Sequence, residues 1–311
     1  MLTATFLGTG AACPTIDRNV AGLAVQREGE TILFDCGEGT QRQMMRYGVG
    51  FSFTEVFFSH FHADHMLGIT GLVRTMGLQD RTAPVTLYGP RGAQRVLGAA
   101  LSLGVERNKF PVEIIEVRPG DRLRRDDYDI LVFPTEHRAD TVGYALAEHT
   151  RLGRFHPERA RELGVPEGPL WGRLHKGETV TLDDGRTVGP ADLVGQPRRG
   201  RILVYSGDTR PTLAVLEAAR GADLLIHEAT FGGDEAERAV ETGHSTASEA
   251  ARLALEAGVR RLVLTHISPR YTRDAPELLA EARGVFPETT IARDGMVVDV
   301  PFEDHTVSGE R

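Results

Sequence analysis

Short apolar, β-branched runs punctuate the chain: TATFLG, TILFD, TEVFFSH, VTLYG, DILVFPTEH, RILVYSGD, ADLLIHEAT and RRLVLTH. Runs of this kind, most of them ending in Gly, Asp or His, read as buried strands. Helical stretches lie between several of them. In TASEAARLALEAG, Thr246 and Glu249 stand at the spacing of a reciprocal cap, in which each side chain bonds the other's backbone amide, and Gly258 supplies a stop. Strands alternating with helices predict an α/β domain built in layers.

Polar residues close the apolar runs at His60, His137, Asp208, His227 and His266. Ligands of open α/β sheets gather at strand ends, so these distant positions are expected to share one cleft. Residues 151–200 break the pattern. They hold no convincing buried strand and are dense in Gly and Pro, as in FHPERARELG, GVPEGPLWGRLHKG and DDGRTVGP. Residues 151–201 also carry 10 Arg and Lys against 7 Asp and Glu, in a chain whose net charge is −8. An unstructured loop of that length is uncommon inside a domain, so the stretch is expected to be an excursion with its own fold. The tail from about Glu303 to Arg311 is expected to fray.

Composition narrows the function classes. With 41% hydrophobic residues among 311, the chain can fill the core of one large domain carrying an insertion. The start, MLTATFLGTGAACP, lacks the basic region of a signal peptide. No apolar run approaches the roughly 18 residues that span a bilayer. A cytoplasmic protein without membrane contact is expected. Cys13 and Cys36 are too few for a disulfide framework and lack CxxC spacing, so they are expected to be free thiols. The negative net charge excludes a coat of basic surface, and any contact with nucleic acid must rest on a local positive field.

The densest chemistry is SHFHADHMLG, where His60, His62, Asp64 and His65 fall within six positions of a chain with 11 histidines. Neutral imidazoles and carboxylates are the ligands zinc takes at about 2.0–2.2 Å, whereas calcium would not favour three imidazoles. Four groups so close in sequence cannot comfortably wrap one tetrahedral ion and leave a position open. Two metals sharing further ligands is the better count, with His137, Asp208 and His266 as the natural additions. Gly8 and Gly10 in LGTGA lack the third glycine of a dinucleotide-binding turn.

At this point the sequence resembles a known family. SHFHADH is similar to the HxHxDH signature of the metallo-β-lactamase fold, a four-layer αββα sandwich with metals at the strand ends. FLGTGAACPTIDRN, DCGEGTQRQ, YSGDTRP, HEAT, GHST and LTHISPRY, running from residue 6 to about 271, resemble one branch of it, the ribonuclease Z enzymes that process tRNA 3′ ends. The resemblance implies two Zn2+ per subunit: His60, His62 and His137 on one, Asp64, His65 and His266 on the other, with Asp208 bridging. It implies hydroxide attack on the phosphodiester after the discriminator nucleotide of precursor tRNA, leaving a 3′-hydroxyl on the tRNA and a 5′-phosphate on the trailer. With two carboxylates and a hydroxide the site charge would be about +1, suited to an anionic transition state.

Asp64 is expected to orient the nucleophile's proton, and His244 in GHST, held by Glu228 in HEAT, resembles the donor to the leaving oxygen. Helix capping or packing at the head of TASEAARLALEAG is the alternative for His244, and orientation of a metal-bound histidine is the alternative for Glu228. His227 is expected to be a buried, hydrogen-bonded histidine, and His149, His156, His175 and His305 carry no assigned chemistry.

The glycines and prolines of GVPEGPLWGRLHKG, among them Gly168 and Pro169, resemble the arm that clamps the tRNA elbow, which places an arm at about residues 148–200. Arg154, Arg159, Arg161, Arg173 and Lys176 are its candidate sugar-phosphate contacts, and Trp171 a stacking or anchoring residue. The resemblance also implies a homodimer in which one subunit's arm serves its partner. Lysine is nearly absent, with only Lys109 and Lys176 among 36 basic residues, so phosphate recognition must lean on guanidinium groups. Two rival functions remain: a small-molecule hydrolase of the same fold, acting on a phosphodiester, lactone or thioester, and a non-catalytic RNA-binding protein with structural metals.

Overall fold

The computed structural model describes residues 1–105, 107–271 and 273–302; the tail from Glu303, with His305, lies outside the described residues. The described chain divides into two compact units, one formed by Met1–Ala147 with the residues from Arg201 onward, the other by Glu148–Gly200.

The larger unit is built on two sheets. Its strands are β1 (Leu2–Gly8), β2 (Gly22–Arg27), β3 (Glu30–Cys36), β4 (Glu55–Phe57), β5 (Val85–Gly89), β6 (Val112–Glu116), β7 (Arg122–Arg124), β8 (Tyr128–Pro134) and β9 (Val142–Glu148). After the short pair β10 (Val180–Thr181) and β11 (Thr187–Val188) of the smaller unit come β12 (Ile202–Tyr205), β13 (Leu224–Glu228), β14 (Leu262–Thr265), β15 (Thr289–Ile291) and β16 (Val297–Asp299). One seven-stranded sheet runs β16-β1-β2-β3-β4-β5-β6 and the other β15-β14-β13-β12-β9-β8-β7. Strands β3 to β6 are parallel, as are β12 to β15, and the pairs β1–β16, β1–β2, β2–β3, β9–β12 and β7–β8 are antiparallel.

Side-chain alternation along these strands produces the layers. In β13, Leu224 and Ile226 face the other sheet in a core with Phe6, Phe34, Phe57, Tyr144 and Tyr205, while Leu225 packs against Ala250, Ala251 and Ala254. Those alanines belong to the helix Ala247–Ala257, whose small residues are buried against the sheet. On the opposite side, Leu33 and Val56 pack with Met44, Ile69, Leu72 and Leu97 of the outer helices. Because both faces of each sheet are covered, the strands read as continuous apolar runs rather than as alternation. The result is a four-layer αββα sandwich.

All eight apolar runs contain strands, and the capping box at Thr246 and Glu249 is present, with Gly258 ending the helix at φ 65°. Strand β4 stops at Phe57, earlier than TEVFFSH suggests, because the Ser59 amide donates to the Asp35 carboxylate at 2.8 Å instead of extending a ladder.

The smaller unit has two short helices, Pro157–Glu162 and Pro169–His175, around a core of Ala160, Val165, Leu174, Val180, Leu182, Val188 and Leu193. Its two ends are joined by paired backbone bonds between Arg151 and Arg198 at 2.8 and 2.9 Å. Among the described residues, no helix is long and apolar enough to cross a membrane.

Candidate metal centre

The strands deliver the candidate ligands to one end of the sandwich. His60 follows β4, and His62 is the extended cap of the helix Ala63–Met66, whose first turn carries Asp64 and His65. His137 follows β8, Asp208 follows β12 and His266 follows β14. Gly207, at φ 60°, permits the approach of Asp208: a Cβ there would stand 2.5 Å from the Ser59 Cβ. Among the described residues, three of the six non-glycine residues at positive φ, Ala12, Asp35 and His266, touch this site. A left-handed conformation costs a non-glycine residue on the order of 1 kcal/mol, so strain is concentrated where the ligands are aimed.

The donor atoms fall into two groups, His60, His62, His137 with Asp208, and Asp64, His65 with His266, each within 4.8 Å mutual reach. In the first, His62 Nδ1 lies 2.9 Å from His60 Nε2 and 3.1 Å from His137 Nε2. In the second, His266 Nε2 lies 3.2 Å from His65 Nε2 and 3.3 Å from Asp64 Oδ2. Asp208 Oδ2 reaches both groups, at 3.3 Å from His65, 3.4 Å from His266, 3.7 Å from His60 and 3.8 Å from His137. Ligands about 2.0–2.1 Å from a tetrahedral ion stand about 3.3 Å from one another, so both groups have the spacing of a zinc shell. The six-residue cluster is thus divided, His60 and His62 to one group and Asp64 and His65 to the other.

Charge balance points the same way. Asp208 is buried and its Oδ1 has no hydrogen-bond partner. Among the described residues, no Lys or Arg side chain bonds Asp35, Asp64, Asp208 or Glu228; their partners are hydroxyls, backbone amides and histidines. Burial opposes the charge on Asp208, but His266 and His65 outweigh it and hold its pKa well below the usual carboxylate range. Asp64 is likewise lowered despite its burial, by the hydrogen bond from His266 and the nearby His65. Burial and the neighbouring His65 push His60 well down, and burial with His137 lowers His62, leaving the neutral imidazoles a metal needs. His65, buried between Asp208 and Asp35, is nevertheless pushed well up. A site that draws a proton to that position is one whose anionic charge a divalent cation would balance, and the residues fit two such ions.

The remote ring atoms are tied down as well. His65 Nδ1 meets Asp35 Oδ2 at 2.8 Å, and that carboxylate also accepts from Ser59 Oγ at 2.8 Å and Tyr205 OH at 2.7 Å. His137 Nδ1 donates to the Gly243 carbonyl at 2.8 Å, and His266 Nδ1 meets Thr230 Oγ1 at 3.0 Å. Bonds of this kind fix ring orientation and raise ligand basicity. The sequence pattern assigns no role to Asp35, Ser59, Tyr205 or Thr230. The available signal was Asp35 closing the run TILFD, just as Asp208 closes RILVYSGD.

His244 and Glu228 sit beside this cluster. His244 Nδ1 lies 2.7 Å from Glu228 Oε1, and the His244 and His266 rings stack with centroids 5.3 Å apart. Burial lowers the His244 pKa, but Glu228 and Asp208 more than compensate and raise it to about 9. Asp208, His244 and His266 also form a third candidate ligand group, but the Nδ1 of His244 is committed to Glu228. Through Thr230, whose hydroxyl donates to Glu228 Oε2 at 2.8 Å, the same carboxylate also supports His266. Glu228 therefore contacts His244 directly and His266 through Thr230. His227 is buried, with Nδ1 donating to the Glu228 carbonyl at 2.7 Å, and is in none of the ligand groups.

The arm candidates lie in the smaller unit, and most are already paired. Arg159 bonds Glu162, Arg161 bonds Glu158 and Glu167, and Arg173 bonds Glu178, all at 2.7–2.8 Å. Gly168 and Pro169 open the helix Pro169–His175 and Lys176 caps its end. Trp171 donates to the Val165 carbonyl at 3.1 Å and packs on the unit's core, which fits the anchoring alternative. Cys13 and Cys36 are free thiols, and burial pushes the Cys36 thiol up to about 12.

Comparison with known proteins completes the picture. The family model described as anti-Pycsar protein Apyc1 matches residues 2–152, and the beta-lactamase superfamily domain matches residues 175–267. The chain is 58% identical over 305 residues to a ribonuclease Z of Gemmatimonas aurantiaca, covering 97% of each. It is 56% identical to one of Myxococcus xanthus, covering 98% of this chain and 99% of that one. Human tRNase Z, short form, superposes with a TM-score of 0.70 at 27% identity, over 96% of this chain and 100% of that one. Motifs, layers and relatives agree that the chain belongs to the ribonuclease Z family, on the metallo-β-lactamase fold.

Proposed function

We propose that the protein is a zinc-dependent endoribonuclease that removes the 3′ trailer from precursor tRNA, cutting after the discriminator nucleotide to leave a 3′-hydroxyl on the tRNA and a 5′-phosphate on the trailer. Family membership supports the substrate class. The observation that carries the chemistry is the pair of donor groups sharing Asp208, with the His244–Glu228 pair beside them.

In this reading His60, His62 and His137 hold one zinc ion, Asp64, His65 and His266 hold the other, and Asp208 serves both. When bound, the two cations supply Lewis-acid chemistry, drawing charge from the phosphoryl oxygens and acidifying a water. The chain's own residues do the rest. Asp64, whose Oδ2 accepts from the Ala12 amide at 2.8 Å, orients the proton of the attacking hydroxide. His244, gripped at Nδ1 by Glu228, gives a proton from its other ring nitrogen to the leaving 3′-oxygen, and the Glu228 carboxylate favours the protonated ring.

The Glu148–Gly200 unit serves as the arm that holds the tRNA body, with Arg154, Arg159, Arg161, Arg173 and Lys176 meeting sugar-phosphate and the Gly168–Pro169 turn shaping the contact. The working form is a cytoplasmic homodimer.

The deciding experiment is to incubate zinc-loaded protein with an end-labelled precursor tRNA and map the product. One cut directly after the discriminator nucleotide is expected, abolished by chelation and restored by zinc. Turnover of small phosphodiesters with no cut at that position would favour the small-molecule hydrolase instead.

A further inference from the structure

We infer that Arg210 is a positioning residue for His244. The inference rests on the reading of His244 as the proton donor. Arg210 lies two residues beyond Asp208, in SGDTRP, and its guanidinium faces away from the ligands, toward the segment that carries His244. Nη1 donates to the His244 carbonyl and, at 2.9 Å, to Glu249 Oε2, while Nη2 donates to Glu249 Oε1. Glu249 in turn accepts the Thr246 amide at 2.9 Å in the capping box of Ala247–Ala257. The fork therefore grips the His244–Thr246 segment at both ends, by the carbonyl of His244 and through the cap.

The backbone beside Arg210 connects the other elements of the site. The Arg210 amide donates to the Glu136 carbonyl at 2.7 Å, next to His137. The Thr209 amide donates to Glu228 Oε1 at 3.0 Å, and Ser245 Oγ donates to the Thr209 carbonyl at 2.6 Å. One stretch, Asp208 to Arg210, thus sets the shared carboxylate, the partner of His244 and the segment that bears His244. Glu228 fixes the ring and Arg210 fixes its backbone. The Arg210–Glu249 pair is mostly buried, at 16% and 23% side-chain exposure, where a bidentate charge-assisted bond holds geometry well and lysine cannot replace the fork.

The test compares two substrates in two backgrounds. Bis-p-nitrophenyl phosphate releases a phenolate that needs no proton, whereas the tRNA 3′-oxygen does. Arg210→Ala is expected to lower kcat on precursor tRNA about 10-fold, with KM changed less than about twofold, because a misplaced catalytic group costs rate rather than binding. The loss on the activated diester should be at least about fivefold smaller, because general acid assistance matters little there. Arg210→Lys should recover little. His244→Ala should slow precursor cleavage about 100-fold at unchanged zinc content, and in that background Arg210→Ala should cost less than about twofold, since residues acting through one another are not additive. If Arg210→Ala fails to fold, Glu249→Gln retains the cap and removes the charge the fork grips, and should give the same pattern at smaller size.

Equal losses on both substrates, additive losses in the double variant, or full activity of Arg210→Ala alongside an impaired His244→Ala would overturn the inference while leaving the donor reading intact. An unimpaired His244→Ala would remove the donor reading, and the inference with it.

Discussion

The metal centre and the Glu148–Gly200 unit both concentrate ionisable side chains, but they hold them in opposite ways. Asp35, Asp208 and Glu228 are buried, with histidines, hydroxyls and amides around them. In the smaller unit, Arg159–Glu162 and Arg173–Glu178 are about half exposed on both sides. Buried carboxylates are costly to desolvate and persist where something compensates the charge. Exposed pairs contribute roughly 0–1 kcal/mol and are screened by salt, so they can exchange partners with little loss. One region is committed to a single arrangement; the pairs of the other can open at little cost.

The strongest way to break this contrast is at the shared ligand. Asp208→Ala is expected to lower kcat/KM on precursor tRNA by more than about 10³-fold, since it removes the buried carboxylate that reaches both donor groups. Metal content measured by atomic emission should fall in parallel. Retention of both metals with near-native activity would show that the two groups do not depend on Asp208.

A smaller effect is expected one bond further out. Asp35→Asn keeps the shape but turns an amide donor toward His65 Nδ1, so the ring is pressed into the tautomer whose Nε2 carries a proton and cannot bind a cation. Losing such a partner typically costs 10–100-fold in metal affinity, so a shift of about that size is expected in competition with a chromogenic chelator. Saturating zinc should restore most activity. Unchanged affinity would mean that the Asp35 carboxylate is not needed to orient His65.

Legibility in the sequence follows the same division. The ligands could be read because histidines and aspartates that end apolar runs announce themselves. The spacing alone showed only that His60 to His65 could not all hold one ion. Asp35 was not legible as a partner of His65, because the contact depends on β3 lying beside β4 rather than on any spacing. Strand β9, VGYALAE, mixes the strand formers Val and Tyr with Gly, Ala, Leu and Glu, so its composition does not separate strand from helix; Tyr144 and Leu146 fill the space between the sheets. In the smaller unit, seven buried residues scattered from Ala160 to Leu193 show no single period, so the sequence indicated an excursion without its elements. Its basic residues were visible, but the acidic partners that hold Arg159, Arg161, Arg173 and Arg186 were not.

The smallest expected effect sharpens the contrast, because it separates the two partners of one exposed pair. Arg159 and Glu162 stand at i and i+3 on a short helix, 2.8 Å apart. If the pair were structural, replacing either residue with alanine would have the same consequence. If the unit grips RNA through exchangeable guanidinium groups, the two substitutions should act with opposite sign on binding. Arg159→Ala should weaken precursor tRNA binding and lower the slope of log K against log salt by about 1, the signature of one lost phosphate contact. Glu162→Ala should leave binding equal or tighter, since the guanidinium no longer has to leave a carboxylate. Both should shift stability by less than about 0.5 kcal/mol, as expected for exposed positions. Fluorescence anisotropy across a salt series, with thermal melts of both variants, measures all of this. Equal weakening by both variants would make the pair part of the unit's framework and leave phosphate contact to Arg154, Arg161, Arg173 and Lys176.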